Sequence, residues 1–541
     1  MIPLSRKNQF GYYISMAEIA LCLSGGGYRA AVYHLGVLTY LHHVCPPTGG
    51  RLIDHVHTIT SISGGAIPAF VYALANARNI DRIDCFKELY KSLVENNLGD
   101  QMLKHFNDSK DPEKSFIKSL AFVYSQVFFK DAKFGEIIDM MQTDELHHFS
   151  VDATDFELGI PFRFQATAEL NIPDRDEPYG VIGNRTHKIE RNRASEIRIS
   201  DIMAATSCFP LAFEPIVYPT DFQFQDTNMR RLNNGAEYLL MDGGLVDNQG
   251  IDPMNHAEWH LSAIEKHHDL VILSDAGNKP IKKEEEPIKW SKHSLMFWNI
   301  VTTVVSVILV LASLYLYKMN SLFNSGLSLM GGVSVLVVML IINLIMYKLK
   351  DYICDNLQFQ GNFKMMWFTG INEMVTFLKA RATTVYRMVD FVMMGHIKKV
   401  AYKELSGQAS LKSKVLMNSL PVLSNGGKWD KILRRRNYAD RSLTPSKALK
   451  RNTKKANTMK TTLWFTWDEK VKGIPLSLLA CGQYTTCWNL LQHIDRIKAL
   501  PEDERSEGQK MIVSLEPILK GDWDRFNANP LILANSYSYV R

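Results

Sequence analysis

Two uncharged runs constrain this chain more than any other feature of its sequence. Leu295 to Tyr317 is 23 residues without a charged side chain, and Leu327 to Tyr347 is another 21. At a rise of 1.5 Å per residue each makes about 32 to 35 Å of helix, enough to cross a hydrocarbon core of about 30 Å. Two helices buried in a large soluble core are the alternative, but uncharged runs of this length are rare outside bilayers. The nine-residue link, Lys318 to Gly326, permits only an antiparallel hairpin. Lys282, Lys283, Lys289 and Lys292 precede the first run, Lys348 and Lys350 follow the second, and the link carries Lys318 alone. Because Lys and Arg favour the cytoplasmic side, the pattern predicts a multi-pass protein of the inner (cytoplasmic) membrane. The bulk of the chain and both termini would then be cytoplasmic. Trp298, Tyr315, Tyr317 and Tyr347 sit near the span ends, as interfacial aromatics do. The first twenty residues contain Arg6, Lys7 and Glu18 and no continuous apolar run, which does not read as a signal peptide.

The remainder of the 541 residues has room for at least one large core, and 46% hydrophobic with 22% charged residues excludes a disordered or fibrous chain. Seven cysteines, an odd number with no C-x-x-C pair, argue against a disulfide framework and a zinc ribbon. The net charge of +6 is unevenly spread: Lys428 to Lys460 holds twelve basic residues against Asp430 and Asp440. Tethered near a membrane, such a segment would meet anionic headgroups, with Arg434, Arg435 and Arg436 as its densest point. Nucleic acid would bind such a run too and is the less favoured partner, and a solvated linker is the third reading. The neighbouring Ser424-Asn425-Gly426-Gly427 and Thr444-Pro445-Ser446 have linker chemistry.

Near the N-terminus, strand, glycine turn and helix occur twice within 75 residues. Ile19 to Leu23 leads into Ser24-Gly25-Gly26-Gly27 and then Ala31, Val32, Leu35, Leu38 and Leu41 at helical spacing. His57 to Ser61 leads into Ser63-Gly64-Gly65 and a second apolar helix. This rhythm predicts an α/β fold with a largely parallel sheet.

Three stretches can carry chemistry. Gly25-Gly26-Gly27 between a strand and a helix presents backbone N–H groups at a positive helix terminus, suited to an oxyanion or phosphate, although a plain tight turn has the same composition. Neither a Walker loop nor a dinucleotide fingerprint fits the residues that follow. Ser61-Ile62-Ser63-Gly64-Gly65 has the form of a nucleophile elbow, G-x-S-x-G, with Ser61 in place of the first glycine; a small-residue helix start is the competing reading. Leu239 to Asn248 contains Asp242-Gly243-Gly244 after an apolar strand, which puts a carboxylate at the ligand-binding edge of an α/β sheet or simply makes a turn.

In this order the three stretches resemble the patatin-like phospholipase family, specifically a membrane-anchored bacterial type. The family pattern of glycine-rich loop with a following basic residue, serine elbow and D-G-G aspartate matches Gly25-Gly26-Gly27 with Arg29, Ser63, and Asp242. Ala204 to Pro210 and Phe164 to Leu170 are similar to two further family segments, so the resemblance covers roughly residues 16 to 280. Ser61 and Ala30 depart from the pattern where glycine is usual.

The resemblance implies a three-layer fold with a largely parallel central sheet, here with an inserted two-helix transmembrane hairpin and a C-terminal α-rich extension. The expected divisions are a catalytic domain over 1–280, the hairpin over 281–350, a helical continuation over 351–420, a basic linker over 421–460 and a C-terminal segment over 461–541. It further implies a serine lipid acyl hydrolase of phospholipase A or lysophospholipase type, acting on membrane phospholipid through a Ser63–Asp242 dyad and an acyl-enzyme. Gly25, Gly26, Gly27 and Gly64 would form the oxyanion hole, and Arg29 would brace the loop or meet phosphate. No cofactor or metal is implied, and a homo-oligomer is left open. An esterase or thioesterase acting on another substrate, and a catalytically degenerate membrane scaffold, are the alternative functions.

Overall fold

The computed structural model describes residues 17–141, 146–168, 182–184, 188–189, 191–210, 212–224, 237–277, 295–319, 322–357, 384–385, 388–407, 411, 413–424 and 443–538. The chain forms two compact units: Met1–Lys279 together with Val389–Arg541, and Pro280–Met388.

The first unit is built on a mixed sheet. Its strands are β1 (Ile19–Leu23), β2 (Val56–Ser61), β3 (His148–Asp155), β4 (Ile160–Thr167), β5 (Ile182–Gly183), β6 (Lys188–Ile189), β7 (Ile216–Tyr218), β8 (Tyr238–Asp242), β9 (Leu270–Asp275) and β10 (Val415–Ser419). The order is β10-β9-β1-β2-β3-β4-β5-β6, with β8 paired to both β3 and β7. The five strands from β10 to β3 run parallel, and the pairings beyond β3 are antiparallel. β1 and β9 are continuous apolar runs because both of their faces are buried, as a parallel sheet requires. β2 is buried despite its hydroxyls, since Thr60 Oγ1 donates to the Gly250 carbonyl at 2.7 Å and Thr58 Oγ1 lies 3.0 Å from His268 Nε2.

Six helices of this unit bear on the argument: α1 (Gly27–His43), α2 (Ala66–Ala77), α3 (Ile199–Thr206), α4 (Ile251–Ser262) and, after two helices of the other unit, the pair formed by Lys447–Ala456 and Ile474–Lys498. The last two are numbered α7 and α8, leaving α5 (Leu295–Lys318) and α6 (Leu322–Leu357) for the second unit. Nearly every side chain of α8 from Ile474 to Ile494 is buried. Its polar groups are met by α1 and β10: Tyr33 Oη lies 3.0 Å from Thr485 Oγ1, Gln483 Nε2 donates to Thr39 Oγ1 at 3.1 Å, and Asn489 Nδ2 donates to Asn418 Oδ1 at 3.0 Å. The helical C-terminal segment therefore packs within the first unit. The stretch expected to be a helical continuation, 351–420, likewise supplies an extra strand, β10, which pairs in parallel with β9.

The stretch read as a basic linker contains α7. Ser446 accepts from the Leu449 N–H and caps it, and Leu449, Thr453 and Ala456 are buried along one face. Arg434, Arg435 and Arg436 lie outside the described residues.

In the second unit α5 and α6 pack on each other. Ser313 Oγ donates to the Ser325 carbonyl and Ser325 Oγ to the Ser313 carbonyl, both at 2.9 Å, and the Asn299 and Asn343 amides exchange hydrogen bonds at 3.2 and 3.4 Å. Small and amide side chains at helix contacts are the usual cement of apolar helix pairs. Val304, Val307, Ile308, Leu311 and Leu314 point away from the partner helix and are exposed. Among the described residues one helix, Asn299–Lys318 with mean hydropathy 2.3, is long and apolar enough to cross a membrane, and Asn324–Val338 of α6 is a shorter apolar stretch. One of the two helices thus has the length and apolar composition of a span, and α6 begins five residues before the expected second one and runs on through Lys348, Lys350 and Asp351.

The contact between α1 and α8 rests on Gly36 and Gly482. A Cβ on Gly482 would lie 2.9 Å from the Gly36 Cα and overlap the Tyr33 carbonyl. Gly482→Leu should therefore destabilise by at least about 1–3 kcal/mol, seen as a lower Tm of the detergent-purified protein. Gly521→Ala, at a helical position with no atom within 4 Å, should leave Tm unchanged or raise it.

Candidate active site

β1 ends at Leu23, and the chain turns through Gly25, Gly26 and Gly27 into α1. Gly26 has φ 138° and Gly27 φ 56°, values that side chains with a Cβ rarely adopt. Gly25 N–H donates to the Asn248 carbonyl at 3.1 Å, so this group of the expected oxyanion set is already engaged. Among the described residues the N–H groups of Gly26, Gly27 and Gly64 have no acceptor outside their own helical turns. The positive end of α1 lies at the same place.

The loop is held from both sides. Behind it, the His34 ring bridges the Ser24 carbonyl at 2.9 Å and Ser274 Oγ at 3.0 Å, and the Ala276 N–H donates to Ser24 Oγ at 3.0 Å. Burial pushes the His34 pKa down to about 4, so the ring is neutral at pH 7. In front, the Tyr28 N–H donates to the Thr462 carbonyl at 2.8 Å, and the buried Arg29 reaches the Met459 carbonyl through Nη1 at 3.4 Å. A Cβ on Gly27 would come within 2.5 Å of that Thr462 oxygen. Arg29 thus ties the glycine loop to a segment more than four hundred residues away.

β2 delivers the elbow. Ser63 adopts φ 48°, the strained backbone of a sharp strand-to-helix turn, and α2 starts three residues later. Its N–H donates to Thr206 Oγ1 at 2.9 Å, and that hydroxyl donates to the Asp152 carbonyl at 2.6 Å. Only glycine fits at 64, because a Cβ there would overlap the Gly27 carbonyl and bring oxyanion loop and elbow into collision. Ser61, by contrast, remains on β2 with Oγ 3.5 Å from the Ser150 carbonyl, away from the apex.

β8 delivers the carboxylate. β2 pairs with β3 through Ser61 opposite Val151, and β8 pairs with the same strand, running the opposite way, through Asp242 opposite Ala153. The C-terminal ends of β2 and β8 therefore meet across Asp152. The Ser63 hydroxyl stands beside the Asp242 carboxylate and favours its ionised form, and the Gly244 N–H donates to Asp242 Oδ1 at 2.8 Å. Thr154 Oγ1 holds the Asp242 carbonyl at 2.8 Å. Both side chains are nearly buried, Ser63 at 7% and Asp242 at 5% exposure. Burial pushes the Asp242 carboxyl up to about 7, even though the Gly244 N–H and the Ser63 hydroxyl favour the ionised form. Asp247, the other acid of this loop, accepts from the Gln249 and Asp252 N–H groups at 3.0 and 2.7 Å and shapes the entry to α4.

The structure thus brings Ser63, Asp242, Gly26, Gly27, Gly64 and Arg29 together, and assigns Gly25 to Asn248. Sequence reasoning gave no role to Thr206, Asn248 or Thr462. Thr206 lies in a small-residue block that had been singled out, but nothing local marks its hydroxyl as a bridge. The part played by Thr462 is a main-chain carbonyl, which leaves no signature at all.

The raised Asp242 pKa has a consequence for stability. In the unfolded chain the carboxyl loses its proton near 3.8, in the folded protein near 7. Between these values the native state holds a proton that the unfolded state has released, so stability falls as pH rises through the window. Asp242→Asn should therefore gain on the parent protein in Tm from pH 4 upward and level off above pH 7. A Tm difference that does not change with pH would contradict the buried, proton-holding carboxyl.

Comparison with known proteins adds the following. A search of curated proteins gives no match. Among solved structures, human GIVD cytosolic phospholipase A2 aligns at 13% identity and TM-score 0.32, over 48% of this chain and 43% of that one. The chain therefore spans less than half of that protein's length. The family model of the patatin-like phospholipases matches residues 21–254, from β1 through the loop, elbow and aspartate into α4.

Proposed function

We propose that the protein is a membrane-anchored serine acyl hydrolase that cleaves acyl esters of phospholipids, of phospholipase A or lysophospholipase type. The observation that carries this reading is the placement of the Ser63 hydroxyl beside the buried Asp242 carboxylate, at a strained turn next to the N–H groups of Gly26, Gly27 and Gly64. Asp242 takes the hydroxyl proton as Oγ attacks the ester carbonyl. The carbonyl oxygen becomes an oxyanion, accepts from the glycine N–H groups, and the intermediate collapses as Asp242 gives its proton to the departing lysophospholipid or alcohol oxygen. Water then attacks the acyl-enzyme, Asp242 takes its proton, and that proton passes to Ser63 Oγ as the fatty acid leaves. A base with a pKa near 7 is matched to this work at neutral pH. His34 is spent on Ser24 and Ser274 and serves the loop rather than the nucleophile, which favours a dyad over a triad.

The finer placement belongs to the same proposal. α5 and α6 form a hairpin across the inner membrane, with the catalytic unit and both termini on the cytoplasmic side, supported by the lysine-rich flanks and the outward apolar face of α5. Phospholipid then needs only a short lift into the site. Anionic headgroups would be met by the basic segment, whose described part, α7, exposes Lys447, Arg451 and Lys454 opposite its buried face.

Two experiments test the reading. Ser63→Ala and Asp242→Asn should each lower release of fatty acid from phospholipid vesicles by about 10³-fold or more, and Ser63→Ala should lose labelling by a fluorophosphonate. Ser61→Ala and Asp247→Asn should keep most activity, and kcat/KM on a soluble ester should fall on the acid side with an apparent pKa of about 7. Full activity of Asp242→Asn would defeat the dyad. For topology, in a Cys354→Ala background, cysteines placed at Ser321 or Asn324 should react with an impermeant maleimide outside intact cells, and ones at Ser291 or Asn356 should not. Reaction at Asn356 from outside would leave a single span.

A further inference from the structure

At the opposite edge of the sheet, where β1, β2 and β3 begin, three side chains converge that the proposed chemistry does not use. Glu18 precedes β1, His147 precedes β3, and His57 lies in β2. His57 is placed there by an irregularity in the ladder: Ile19 pairs with Val56 and Ala20 with Thr58, so His57 is the residue passed over. A bulge re-aims a side chain, and here it directs an imidazole at a carboxylate. His57 Nδ1 lies 3.0 Å from Glu18 Oε2, and His147 Nδ1 lies 3.6 Å from the same oxygen. The three donor atoms are all within 4.8 Å of one another.

His147 is 8% exposed and its Nδ1, facing this cluster, has no hydrogen-bond partner among the described residues. A buried imidazole nitrogen without a partner needs an explanation. The two rings are stacked, with centroids 4.7 Å apart, so one carboxylate oxygen serves His57 well and His147 poorly. The supports around the cluster are in place. Glu18 N–H donates to Asp269 Oδ2 at 2.9 Å, Asp269 accepts from the Ser506 hydroxyl, and His147 N–H donates to the His57 carbonyl at 2.7 Å.

We propose that Glu18, His57 and His147 form a binding site for a divalent transition-metal ion, with zinc as its natural occupant. Two imidazoles with one carboxylate suit zinc and its neighbours and disfavour magnesium and calcium. Bond lengths of about 2.0 to 2.2 Å require the rings to turn out of their stack and the donors to draw in by about 1 Å. Glu18 is the partly exposed member, so the remaining position is open to water from its side. The site lies a strand's length, about 17 Å, from the glycine loop and the elbow, which follow the other ends of β1 and β2. The ion therefore fastens the starts of three strands and takes no part in acyl transfer.

The full-length protein in detergent, stripped with chelator and titrated with zinc chloride, should take up one equivalent and gain in Tm. X-ray absorption of the zinc-loaded protein should show two imidazoles with only oxygen or nitrogen beside them. His147→Gln and Glu18→Gln should each weaken zinc binding by at least about tenfold, whereas Ser63→Ala should bind as the parent does. No uptake by the parent protein, sulfur in the coordination shell, or unchanged affinity in both variants would overturn the site. Should a variant lose its fold, the absorption spectrum of the parent still decides.

Discussion

Ser63 and Asp242 come from distant parts of the sequence, and their meeting follows from main-chain pairing on β3. β2 takes the first half of one flank of that strand and β8 the second half, in opposite directions. Their C-terminal ends must then face each other across Asp152. Thr206 fixes the last degree of freedom, because its hydroxyl joins the Ser63 N–H to the Asp152 carbonyl. The side-chain chemistry is added to a junction that backbone hydrogen bonds have already made, and such a junction costs little reorganisation when charge develops.

Much of this was legible in the sequence, for identifiable reasons. The parallel sheet showed itself in β1, an uninterrupted apolar run ending in glycines, and the elbow in small residues that let strand and helix approach. Ser63 and Asp242 were marked because each stands at a turn that only glycine neighbours permit. What could not be read were contacts made by the main chain at long range: the Asn248 carbonyl that claims Gly25, and the Thr462 carbonyl that claims Tyr28. A carbonyl oxygen is common to every residue and carries no local pattern. α7 was hidden by composition, since ten residues with five basic side chains bury only a narrow stripe through Leu449, Thr453 and Ala456.

The second unit shows a different balance. Its two helices meet through serine hydroxyls, reciprocal asparagine amides and the small face near Gly332, with the large aliphatic side chains turned outward. In water, burial of aliphatic groups is the dominant contribution to helix packing. In hydrocarbon the polar contacts are what distinguish a neighbouring helix from lipid.

The brace on the glycine loop has a bearing on biosynthesis. Thr462 and Met459 are made after both apolar runs have been synthesised, and α8, which packs under α1, follows them. A nascent chain that already contains the serine and the aspartate still lacks the carbonyl that fixes the start of α1 and the helix that supports it. The order of translation therefore delays assembly of the first unit until both apolar helices have been made, and an isolated fragment ending near residue 280 would be born without its keystone.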